Sequence, residues 1–165
     1  MRVRFRIVTV LAIVIAMVFS ACGKGESGGA ANADEKTDET ISMEGIVASI
    51  MRDFSLEKLE LNKELLESLY GLDSDELEDY RLWVPTKNIL ANEMLLVKTS
   101  DATTVEKVKK AMEKRSNDVA DIFKSYSPEQ YDLATKSVIA EKGNYIIFII
   151  DEDARGIMES FKKSF

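Results

Sequence analysis

The chain has 165 residues, with 29 acidic against 22 basic side chains, a single Cys and no His. Its length is that of one domain, and 45% hydrophobic with 31% charged residues excludes wholesale disorder and collagen-like repeats. One Cys excludes an internal disulfide framework and a Cys-cluster metal site, and the lack of His takes imidazole out of every acid–base and metal-binding scheme.

The N-terminus comes first. Arg2, Arg4 and Arg6 precede an apolar run of 13 residues, Ile7–Phe19, followed by the small residues Ser20 and Ala21 and then Cys22. A basic head, a short apolar body and small residues make a secretory signal peptide over residues 1–21. As a helix the run would reach about 20 Å, short of a hydrocarbon core of about 30 Å. Phe19-Ser20-Ala21-Cys22 resembles the lipobox of bacterial lipoproteins, with Phe19 where Leu is usual. That resemblance implies that Cys22 is lipidated, becomes the new N-terminus and holds the chain to the outer face of the cell membrane. Multiple acyl chains on one residue give the stable anchoring that a single chain does not.

Loss of residues 1–21 removes three Arg and no acid, so a formal charge of −7 becomes −10. Such an acidic chain is a poor partner for nucleic acid, whose binding depends on Lys and Arg neutralising phosphates. An anionic leaflet would also repel it. Residues 23–40 contain no aromatic and no branched aliphatic side chain, so residues 22–41 read as the anchored Cys and a flexible linker. One globular domain is expected over residues 42–165.

Ile46, Val47, Ile50, Met51 and Phe54 lie at helical spacing, with Ser42 as N-cap. Asn62 can cap a second, short helix through Leu65, Leu66 and Leu69, ended by Gly71. Tyr80–Val84 and Glu93–Lys98 are strand-like, with Pro85 stopping the first. Asp101 caps a long amphipathic helix from Ala102 to about Ser125, and Pro128 opens a helical turn to Leu133. Ser137–Glu141 and Asn144–Ile150 flank a hairpin at Lys142-Gly143. Tyr145–Ile150 is apolar throughout, so that strand is expected to be central and covered on both faces. Ala154, Ile157, Met158 and Phe161 mark a last helix. The expected fold is α+β: a two-layer domain with a small, mainly antiparallel sheet packed against helices.

Leu69-Tyr70-Gly71-Leu72-Asp73, the long helix with Arg115, then Tyr126, Pro128 and Gln130, and Gly143-Asn144-Tyr145 before the apolar strand resemble domain of unknown function 4358. The similarity runs from about Ile41 to Phe161. It implies an extracytoplasmic lipoprotein of a Gram-positive-type bacterium, and it brings no catalytic residues to carry over.

No residue pattern of established chemistry is complete. Asp151-Glu152-Asp153-Ala154-Arg155-Gly156 begins like a calcium loop, but Arg155 and Lys162 fall where ligands are required. The acids of Asp73–Asp79 lack ligand spacing and read as a solvated turn. No metal and no cofactor are expected. No catalytic residues are assigned, because no nucleophile elbow or phosphate-binding loop is present. The expected function is a non-catalytic binding or scaffold module of the cell envelope, engaging another envelope protein, a peptide or a small solute. The alternative is a His-free hydrolase using carboxylates or a Ser–Lys pair.

Arg115 is the remaining candidate. Val105, Val108, Met112, Val119, Ile122 and Tyr126 form one stripe of the long helix, and Arg115 fills the gap between Met112 and Val119. A permanent charge in a core-facing stripe must pair with a carboxylate, reach out to water, or stand over a cleft ready to clamp a ligand's carboxylate or phosphate.

Overall fold

The computed structural model describes residues 41–54 and 63–165. The expected leader at 1–21, Cys22 with its linker up to residue 40, and the capping role of Asn62 lie outside the described residues.

Five helices and four strands follow in chain order: α1 (Met43–Asp53), α2 (Lys63–Tyr70), β1 (Asp79–Trp83), β2 (Glu93–Lys98), α3 (Ala102–Phe123), α4 (Pro128–Thr135), β3 (Val138–Lys142), β4 (Tyr145–Ile150) and α5 (Ala154–Lys163). A 3-10 turn, Ser74–Glu76, leads into β1. The local signals act as expected. Ser42 Oγ accepts from the Gly45 N–H at 3.0 Å and caps α1. Asp101 Oδ1 accepts from the Thr104 N–H at 2.7 Å and caps α3. Gly71 follows α2 with φ of 63°, and Gly143 opens the β3–β4 loop with φ of 58°, a left-handed conformation that short hairpin turns require.

The strands form one sheet of order β1-β2-β4-β3, and every pairing is antiparallel. β2 and β4 are the two central strands. All six residues of β4 are buried, as its unbroken apolar sequence requires. Side-chain alternation divides the sheet into two cores. Leu82, Leu95, Val97, Ile146 and Phe148 face α2, α3 and α4, while Trp83, Met94, Leu96, Ile147 and Ile149 face α1 and α5. The α+β class, the small antiparallel sheet and its packing against helices are thus as expected. The helices occupy both faces, so the layers number three rather than two, the arrangement that fully buried central strands demand.

The stripe on α3 departs from expectation at its end. Ile122 and Tyr126 are 51% and 58% exposed, whereas Ala120 and Phe123 are buried. The stripe read from the sequence has a mean spacing of 3.5 residues, and a straight helix drifts by about 20° per heptad against that repeat. By Ile122 the accumulated drift has carried the stripe off the core face and Phe123 takes its place, while Tyr126 lies beyond the end of α3.

Candidate functional site

The chain entering β2 ties together most of one end of the domain. Ala91, Asn92 and Glu93 are consecutive, and each bonds to a different element. The Ala91 N–H donates to Gln130 Oε1 on α4 at 2.7 Å. Asn92 Nδ2 donates to Asp151 Oδ2, just past β4, at 3.0 Å. Glu93 faces the opposite side from Asn92, as strand alternation dictates, and its carboxylate meets α2 and α3.

Arg115 is found there, internally paired. Its Nε donates to Glu93 Oε1 at 2.9 Å and Oε2 at 3.2 Å, and Nη2 donates to Oε2 at 2.7 Å. The Tyr70 hydroxyl donates to Glu93 Oε1 at 2.5 Å. Side-chain exposure is 13% for Arg115 and 2% for Glu93, so this two-pronged pair sits at the inner edge of the core. Burial works against the Arg115 charge, but the hydrogen bonds and negative charge of Glu93 outweigh it and raise its pKa. Burial, reinforced by Glu93, pushes the Tyr70 phenol well above its ordinary value, so it stays a hydrogen-bond donor. Of the arrangements open to Arg115, the structure has the pair with Glu93.

A cleft of about 530 Å³ lies beside this hub, between α4 and the segment from the end of β4 into α5. Its polar rim is Glu129, Asp132 and Lys136 from one side and Asp151, Glu152 and Arg155 from the other, and Leu133, Val138 and Ala154 supply apolar wall. Gln130 lies at its base and is 9% exposed. Lys136 Nζ pairs with Asp132 at 2.5 Å. Both Asp151 oxygens are engaged, Oδ1 by the Asp153 N–H at 2.9 Å and Oδ2 by Asn92.

In the acidic turn several side chains pair with basic neighbours. Asp75 pairs with Lys63 at 2.7 Å, Glu76 with Lys107, Glu78 with Ser100 and Lys98, and Asp79 with Arg81. Among the described residues no group of three or more Asp, Glu, His or Cys is arranged to hold a metal ion. The Ser116 and Ser137 hydroxyls lie 2.8 Å apart, and Ser116 also donates to Ala134 O at 3.2 Å. No Lys amine is hydrogen-bonded to a Ser hydroxyl among the described residues. No helix among them is long and apolar enough to cross a membrane.

Sequence reasoning singled out Arg115 but missed both its partners, Glu93 and Tyr70, and the role of Gln130. One signal was available: Glu93 opens a strand whose next four residues, Met94–Val97, are all apolar.

Fold and site together define a small three-layer α+β domain with a four-stranded antiparallel sheet, a buried Tyr–Glu–Arg network and a polar cleft at one sheet end. Residues 51–151 match the profile of the domain of unknown function DUF4358, and the chain belongs to that family. No curated protein and no solved structure shows significant similarity to it.

Proposed function

We propose that the protein is a lipid-anchored, extracytoplasmic binding module without catalytic activity of its own, held to the outer face of the cell membrane through Cys22. The cleft between α4 and α5 carries the binding part of this reading. Two of its lining residues, Gln130 and Asp151, are held by Ala91 and Asn92, its volume falls in the range of small-molecule sites, and its rim retains charged groups without protein partners. The anchoring part is supported by the sequence, in which the one Cys falls where a lipobox requires it.

The anchor is tested by replacing Cys22 in the native bacterium. Wild type is expected in the membrane fraction, with incorporation of radiolabelled fatty acid. Cys22→Ala is expected to lose the label, and to leave the membrane or accumulate as unprocessed precursor. A Cys22→Ala variant that fractionates and labels like wild type refutes the anchor.

A further inference from the structure

The cleft beside the hub has a definite set of polar groups left over once internal pairs are set aside. Asp132 and Lys136 neutralise each other, and Asp151 is committed to Asn92 and to the Asp153 backbone. Among the described residues, Glu129, Glu152 and Arg155 have no hydrogen-bond or ion-pair partner, and all three are exposed on the rim. The fourth group is Gln130. A backbone N–H can donate only to the carboxamide oxygen, so the bond from Ala91 fixes which way round the amide lies. The amide nitrogen, with two N–H donors on a side chain more than nine-tenths buried, has no protein acceptor and is turned to the cleft that Gln130 lines. The nitrogen reaches solvent through the cleft, so its N–H groups stand ready for an acceptor that water or a ligand supplies.

Two carboxylates, one guanidinium and one fixed amide donor specify the complement. We propose that this cleft binds a diamino acid, free or as the first residue of a short peptide. Its carboxylate or first peptide carbonyl accepts from Arg155 and Gln130, and its two ammonium groups meet Glu129 and Glu152. Leu133, Val138 and Ala154 cover the aliphatic stem that separates the charges. A simple cation leaves Arg155 and the Gln130 amide unanswered, and a neutral or acidic amino acid leaves at least one carboxylate unanswered. Specificity therefore follows from unpaired groups on the wrong ligand. The inference rests on the binding-module reading and adds the ligand class to it.

Titration calorimetry on the full chain in detergent micelles tests this with L-lysine as probe. Cadaverine supplies two ammonium groups without a carboxylate, and L-norleucine lacks only the side-chain ammonium. Lysine is expected to bind saturably and at least about tenfold more tightly than either. Lysyl-glycine binding more tightly than lysine would identify a peptide as the source, and the reverse a free amino acid. Arg155→Gln should weaken lysine at least about tenfold and leave cadaverine unchanged. Gln130→Glu keeps an acceptor for Ala91 but sets a negative charge toward the ligand's carboxylate, so it should weaken lysine likewise. Glu152→Gln should erase the preference for lysine over norleucine. Absence of saturable lysine binding at millimolar concentration overturns the proposal, as does lysine binding that Arg155→Gln and Glu152→Gln both leave unchanged. Neither result touches the anchor, which the Cys22→Ala fractionation decides separately.

Discussion

Arg115→Ala isolates the contribution of the buried pair. The substitution leaves the Glu93 carboxylate, 2% exposed, with only the Tyr70 hydroxyl as donor. Attraction between unit charges about 4 Å apart is worth about 4 kcal/mol at the effective dielectric of a protein edge. Breaking a buried pair from one side typically costs about 3–5 kcal/mol, because the remaining charge is stranded. Tyr70 still answers one Glu93 oxygen and water can enter at the 13% exposed Arg115 position, which favours the lower part of that range. The expected loss is about 3–4 kcal/mol. For a domain of about 125 residues one kcal/mol corresponds to about 3–5 °C, so the melting temperature should fall by about 9–20 °C. Differential scanning calorimetry of wild type and variant measures it. Glu93→Gln combined with Arg115→Met should recover much of the loss, since a neutral pair leaves no buried charge. A melting temperature for Arg115→Ala within about 3 °C of wild type would refute the reasoning and return Arg115 to the role of a ligand clamp.

Tyr70→Phe keeps the ring edge-on to Phe148 at 6.2 Å and removes only the hydroxyl, so it should cost about 2 kcal/mol, the range of a hydrogen bond to a charged acceptor. Because the folded-state pKa of Tyr70 is raised, its contribution is complete below the ordinary phenol value of 10.0 and is lost as pH rises above it. The gap in stability between wild type and Tyr70→Phe should therefore narrow above about pH 10 in alkaline denaturation, and a constant gap would contradict the buried phenol. Gly156→Ala should destabilise by about 1–2 kcal/mol despite the better helix propensity of Ala, because the new Cβ would lie 2.8 Å from Phe54 Cζ. The same change in a Phe54→Leu background should be neutral or stabilising, and a Gly156→Ala protein that melts above wild type would show that the α1–α5 packing yields freely.

The fold was legible wherever a local rule decided the outcome. Ser42 and Asp101 cap helices through their own side chains, Gly143 turns a hairpin, and the unbroken apolar run of β4 announces a central strand. Expectation failed where the outcome depended on accumulated geometry or on contacts distant in sequence. At the end of α3 a small angular drift per turn adds up over the 17 residues from Val105, exposing Ile122 and burying Phe123. Glu93 and Arg115 are 22 residues apart, and Tyr70 and Glu93 are 23 apart. No periodicity within one element can show such a network, and the same holds for Ala91 with Gln130 across 39 residues.

The misleading features of the sequence have a common physical cause. Asp151-Glu152-Asp153 begins like a calcium loop, yet in the fold these acids serve different purposes. Asp151 stops at Asn92 and the turn backbone, while Glu152 stands on the rim of the cleft with Arg155. A chain with 51 charged residues necessarily contains runs that imitate ligand motifs, and among the described residues 20 of these side chains form ion pairs, Lys107–Glu76 and Lys114–Asp118 among them. The informative charges are the ones that remain after pairing, and pairing is visible only in three dimensions. That subtraction is what shifts attention from Arg115, the one conspicuous charge in an apolar stripe, to Arg155, which looked like a defect in a motif. Position strengthens the contrast. The first described residue, Ile41, is held by the Tyr145 hydroxyl at 2.8 Å at the start of β4, and the cleft lies at Asp151 beyond its end. Six residues of strand, about 17–20 Å, separate the point where the chain enters the domain from the site.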